Sequence, residues 1–108
     1  MNSKKQIRAK AARMLPEVFR RDRGKCRYCG KRVVMVRSIP EHRRVGKRHG
    51  DWVKFVDEHG KHRRELVATV DHLQRVDEGG DSDIDNMVLA CGPCNRMMDL
   101  YYQQLRKL

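Results

Sequence analysis

Ile7, Ala11 and Met14 recur at helical spacing behind Ser3, whose hydroxyl suits an N-cap, so residues 3–14 read as a helix. Pro16 disrupts a helix interior but is welcome at a first turn, so a second short helix is predicted over residues 16–21, with Val18 and Phe19 inward. Gly24 closes that unit just before CRYCG, residues 26–30, a tight knuckle whose glycine permits positive φ. Residues 33–37 have strand character, and SIPEHRRVGKRHGD after them is turn-rich and basic. The period then falls to two. WVKFV, residues 52–56, alternates as a strand, DEHGKHRR is a turn, and ELVATVDHL is the strongest strand, with Val67, Thr69 and Val70 β-branched. MVLAC, residues 87–91, is a further short strand. From Gly92 onward the helical period returns: Met97, Tyr101, Leu105 and Leu108 mark a closing amphipathic helix. Helices followed by short strands and a last helix predict an α+β class, with neither internal repeats nor a low-complexity linker.

Composition narrows this to one small domain. The chain has 108 residues, 39% of them hydrophobic and six aromatic, so its core is limited and a metal staple would support it. Charge adds a polarity along the chain. The formal net charge is +11, with 21 basic and 7 acidic side chains in residues 1–65 against 4 and 7 in residues 66–108. A basic first part points to a polyanionic partner, nucleic acid first, and the basic stretch lacks the aromatic and leucine face of a membrane-surface helix. The longest purely apolar run, MVLAC, is far too short to span a bilayer. The basic N-terminus lacks an apolar signal-peptide core, so an intracellular, cytoplasmic setting is expected.

In a reducing compartment, closely paired cysteines are a metal signal rather than a disulfide framework. Cys26-x-x-Cys29 and Cys91-x-x-Cys94 are two knuckles separated by 61 residues. Each points two thiolates at one ion, and two knuckles complete a four-thiolate tetrahedron with no open position, which is a structural zinc site. An iron centre of the rubredoxin type and separate redox pairs are the remaining readings.

A second group of residues suits phosphodiester hydrolysis, which needs a cation for the phosphate oxygens and a base for water. Asp71 and His72 end the best strand, Asn86 precedes the next, and Asn95 follows the last cysteine. Asp71 offers a hard anionic oxygen and Asn95 a neutral one, leaving positions for water and phosphate, as Mg²⁺ accepts. His72 can be neutral and take a proton. Asn86 can hold the backbone near His72.

In this order, CRYCG, TVDHL, GG and DNMVLACGPCN resemble the HNH endonuclease family, the ββα-metal or His-Me finger nucleases, in the zinc-knuckle subgroup whose last signature residue is asparagine. PEVFRRDRGKCRYCG also resembles the run that leads into the first knuckle there. The resemblance covers about residues 16–95, except roughly 37–65. It implies His72 as general base, Asp71 and Asn95 as ligands of a catalytic Mg²⁺ or other divalent ion, Asn86 as support of the His72 loop, and DNA cut to a 5′-phosphate and a 3′-hydroxyl. The expected organisation is a basic helical segment over residues 1–25, an inserted hairpin over 37–65, and a ββα-metal core over 66–108.

Two features depart from the family pattern. A basic residue commonly follows the last signature position, but here NRMMDL leaves Arg96, or else Arg75, to meet phosphate. The stretch 37–65 is long, and reads as a basic hairpin with Arg43, Arg44, Lys47, Arg48, Lys61, Arg63 and Arg64 around its turns, able to follow a DNA backbone. His42, His49, His59 and His62 fall in polar turns and read as solvated or phosphate-facing. DSDIDN opens like a calcium loop but has Asn86 and Gly92 where glycine and glutamate belong. The acids from Asp77 to Asp85 instead solvate the Gly79-Gly80 turn and repel DNA locally.

The sequence thus favours a metal-dependent HNH endonuclease acting on DNA. A non-catalytic zinc module binding nucleic acid, and a rubredoxin-like carrier, are the alternatives. By analogy a free-standing nuclease of this size fits a phage or mobile element, with phage packaging or another protein as partner. Oligomeric state and sequence specificity have no signature.

Overall fold

In the computed structural model, which describes residues 3–47 and 50–107, α1 spans Lys4–Arg21. Arg48, His49 and Leu108, all named above, lie outside the described residues. A reciprocal capping box starts α1: Gln6 N donates to Ser3 Oγ at 3.2 Å and Ser3 N donates to Gln6 Oε1 at 2.8 Å. The two helices expected on either side of Pro16 are one, with Pro16 inside it. Proline at 16 cannot donate to the Ala12 carbonyl four residues back. Arg37 Nη2 supplies the missing donor to that oxygen at 3.3 Å, so the helix continues.

Asp22 ends α1 and ties it to the rest of the chain. Its carboxylate accepts from Arg21 and Arg27, and Leu89 N donates to Oδ2 at 2.9 Å. Burial would raise its pKa, but these donors outweigh burial and hold the carboxyl down at about 2. A depressed acid stabilises the fold fully above its ordinary pKa, and that contribution fades as pH falls from about 4 toward about 2. The side chain is 1% exposed. Asp22→Ala should therefore cost about 2 kcal/mol at pH 7, read as a lower urea midpoint. An unchanged midpoint would remove Asp22 from the tertiary framework.

β1 is only Val33–Val34, shorter than the expected strand, because a 3₁₀ turn at Val36–Ser38 bends the chain away. Arg44 fixes that bend by donating to the carbonyls of Val36 and Ile39. β2 (Trp52–Val56) and β3 (His62–His72) form an antiparallel hairpin pairing Trp52 with Leu66 and Val56 with His62. His62, Arg63 and Arg64, expected in a turn, are strand residues. Asp57 draws the turn tight enough to include them, since its Oδ1 accepts from His59 N and Lys61 N, both at 2.9 Å.

β3 is central and serves two sets of partners. Its first half pairs with β2 and, in parallel, with β1; its second half pairs antiparallel with β4 (Met87–Cys91), from Ala68 opposite Cys91 to His72 opposite Met87. Every β4 residue is buried. Met87 and Leu89 join Val18, Val33, Leu66 and Ala68 in the main core beneath α1, while Ile39, Val53 and Val67 form a smaller one.

α2 (Gly92–Arg106) starts directly from β4, with Cys91 as N-cap and Pro93 in its first turn. The expected stripe Met97, Tyr101 and Leu105 is exposed, at 66%, 57% and 46%. The covered side instead runs through Cys94, Asn95, Met98 and Tyr102, because Cys94 must turn toward the other sulfurs and so sets the rotation of the helix. Among the described residues, no helix is long and apolar enough to cross a membrane.

Candidate functional site

The two knuckles meet. Cys26 and Cys29 come from the turn after α1, Cys91 and Cys94 from the β4–α2 junction, and all four Sγ atoms lie within 4.8 Å of one another. Cys29 and Cys91 Sγ are 3.9 Å apart. A tetrahedral ion with sulfur at about 2.3 Å sets its ligands about 3.8 Å from each other, so the set fits one metal ion and is consistent with zinc. Burial would raise the Cys26 thiol, but hydrogen bonds from the backbone of Cys29, Cys91 and Tyr28 bring it down to about 7, favouring the thiolate a metal needs.

Beside the cluster is an open cleft of about 210 Å³, lined in part by Asp71, His72 and Asn95. Neighbouring strand residues point to opposite faces, and the cleft lies across the end of β3, where both faces are reached. Asp71 turns toward the first knuckle, where the Tyr28 hydroxyl donates to its Oδ2 at 2.5 Å. Burial, with the Asp71 charge beside it, raises the Tyr28 pKa, so the phenol keeps its proton. His72 turns toward α1, where Nε2 sits 2.9 Å from Ser82 Oγ. The serine hydroxyl donates its single proton to Ile7 O at 2.5 Å, so it must accept from His72 Nε2–H. That leaves the lone pair of the neutral ring on Nδ1. Burial lowers the His72 pKa against the opposing pull of Asp71, and the Arg8 charge adds to the lowering.

Asn95 is oriented by the same logic. Its Nδ2 donates to Thr69 Oγ1 at 3.1 Å and to Val70 O at 3.2 Å. Val70 O can only accept, so the amide nitrogen must face it, and Oδ1 is left without a donor among the described residues. Asn86 stands behind His72. It accepts from Gln74 N at 2.8 Å and donates to Gln74 O at 3.1 Å and Asp81 O at 2.7 Å, while its own carbonyl accepts from Leu73 N at 2.8 Å. The loop it closes is tight: a Cβ on Gly80 would lie 1.9 Å from the Gln74 carbonyl oxygen, so only glycine fits.

Ser82 and Tyr28 escape sequence reasoning. A serine between aspartates in DSDID has the look of a solvated turn, yet it is wholly buried, and nothing in CRYCG marks its tyrosine as a partner of Asp71.

The two arginines expected to meet phosphate are both engaged. Arg96 grips Asp51 through two bonds, at 2.6 and 2.5 Å, and Arg75 is paired with Asp99 while lying over the Tyr102 ring. Nor does the acidic loop stand free in solvent: Lys4 pairs with Asp77, Lys10 with Asp83 and Arg106 with Glu78. In the hairpin, Arg63 pairs with Asp57, whereas Lys47, Lys54 and Arg64 line a groove beside Trp52, the Arg64 guanidinium 4.2 Å above its ring.

Residues 54–98 match the model of the HNH endonuclease family. The stretch includes Asp71, His72, Asn86, Cys91, Cys94 and Asn95, and stops short of α1 and the first knuckle. Together with the match, the four clustered cysteines fit the zinc-knuckle subgroup of the family. No curated protein and no solved structure matches the chain.

Proposed function

We propose that this protein, with its HNH match and clustered cysteines, is a metal-dependent endonuclease that hydrolyses DNA phosphodiester bonds. The observation that carries the reading is the meeting of Asp71, His72 and Asn95 in one cleft beside the four sulfurs. The sulfurs would hold a structural zinc, joining the first knuckle, whose Tyr28 bonds Asp71, to the start of α2, which carries Asn95. Asp71 Oδ1 and Asn95 Oδ1 would hold a divalent cation of the Mg²⁺ kind. When bound, that ion would supply positive charge to the phosphate as it is attacked.

The chain's own groups then act on water. His72 Nδ1 accepts a proton from the water whose oxygen attacks phosphorus. The bond from phosphorus to the 3′-oxygen breaks, the 3′-oxygen takes a proton from solvent, and a 5′-phosphate remains. Through the acceptor Ser82 Oγ, the protein holds the ring with its basic nitrogen outward. Lys47, Lys54 and Arg64 supply sequence-independent contacts to the DNA backbone.

Incubation of supercoiled plasmid with the protein and Mg²⁺ or Mn²⁺ tests the reading. Nicked circles should accumulate, none should form without the divalent ion, and Asp71→Ala should abolish the reaction with zinc content unchanged. Tight plasmid binding without cutting in any divalent ion would overturn the hydrolase and leave the zinc-stabilised binding module.

A further inference from the structure

Displacement at phosphorus gathers negative charge on the non-bridging oxygens, and a preorganised cation aimed at them accelerates it. Two arginines line the active cleft, Arg8 and Arg75, and they differ in state. Arg75 is neutralised by Asp99, and Arg96, just beyond the cleft, by Asp51. Arg8 is exposed, and its guanidinium forms no hydrogen bond or ion pair among the described residues. Asp77, a cleft acid that feels the Arg8 charge, has its carboxylate bonded by Lys4 at 2.8 Å. A long cation facing a carboxylate-rich cleft normally finds a carboxylate; this one is left for an anion from outside.

Its backbone is also registered to the reacting centre. Ile7, the preceding residue, accepts from Ser82, which accepts from His72, so the α1 turn carrying Arg8 is joined to the imidazole by two hydrogen bonds. We propose that Arg8 binds a non-bridging oxygen of the scissile phosphodiester. The segment ahead of the first knuckle therefore completes the active site as well as adding positive charge. The inference rests on the nuclease reading.

The test is single-turnover nicking of supercoiled plasmid by wild type, Arg8→Gln, Arg8→Lys and Arg13→Gln. Arg13 is exposed on the same helix but does not line the cleft. Arg8→Gln is expected to lower the rate about 10²-fold, in the range of one lost donor to a developing oxyanion. Arg8→Lys should recover part of the loss. Affinity for uncut duplex without divalent ion should weaken only about threefold in Arg8→Gln, one phosphate contact being a small share of the total. Arg13→Gln should cut at nearly the wild-type rate. An Arg8→Gln protein that cuts as fast as wild type, or an Arg13→Gln protein equally impaired, would overturn the assignment while leaving the nuclease intact. A wild type that never cuts would remove the nuclease reading and this inference together.

Discussion

Replacing His72 with alanine is expected to reduce plasmid nicking about 10²- to 10⁴-fold, the range for loss of a positioned general base. The fold should survive the change for a specific reason. Ser82 Oγ donates to Ile7 O whether or not the imidazole is present, so the substitution removes a donor to the serine and leaves no buried proton without an acceptor. The ring itself lies at the edge of an open cleft, only part-buried. Zinc content, thermal midpoint and affinity for uncut duplex should therefore match wild type, and only the chemical step should fail. A His72→Ala protein that nicks at the wild-type rate would show that some other group activates water.

The second large effect concerns the four sulfurs. Cys91→Ser should abolish tight metal retention and with it the cooperative fold. Structural zinc contributes about 10–16 kcal/mol in small zinc-dependent domains, which equals or exceeds the roughly 5–15 kcal/mol by which whole domains are stable. Cys91 is a severe position because it is buried, closes β4 opposite Ala68, and caps α2, with Cys94 N donating to its sulfur at 3.5 Å. Losing the ion uncouples the helix that carries Asn95 from the strand that carries Asp71. Metal analysis of the purified protein together with far-UV circular dichroism checks this, before and after a strong chelator. Full secondary structure and an unchanged melting midpoint without metal would refute it. Iron in place of zinc would show as colour in the purified wild type.

How much of this was readable beforehand differs from residue to residue. CxxC spacing, the β-branched run of residues 65–73 and the apolar run of residues 87–91 are local patterns, and β3, β4 and the cysteine cluster follow them. Helix interiors were less legible. Pro16 argued for a break, and only Arg37, arriving from beyond the knuckle, lets α1 pass through it. The apolar stripe of α2 named one face, but the rotation was set by Cys94 turning to the other three sulfurs.

The sequence by itself determined the α+β class and the two knuckles, and it named Asp71, His72, Asn86 and Asn95 as candidates, because periodicity and short spacing are encoded within a few residues. Only the tertiary structure decided that Ser82 is buried against His72, that Tyr28 meets Asp71, that Arg75 and Arg96 are neutralised, and that Arg8 is not. Those facts depend on partners far apart in the chain: 75 residues from Ser82 to Ile7, 43 from Tyr28 to Asp71, and 45 from Arg96 to Asp51. No local pattern carries such information, since a hydrogen bond or ion pair is chosen by whichever group packing brings within about 3 Å.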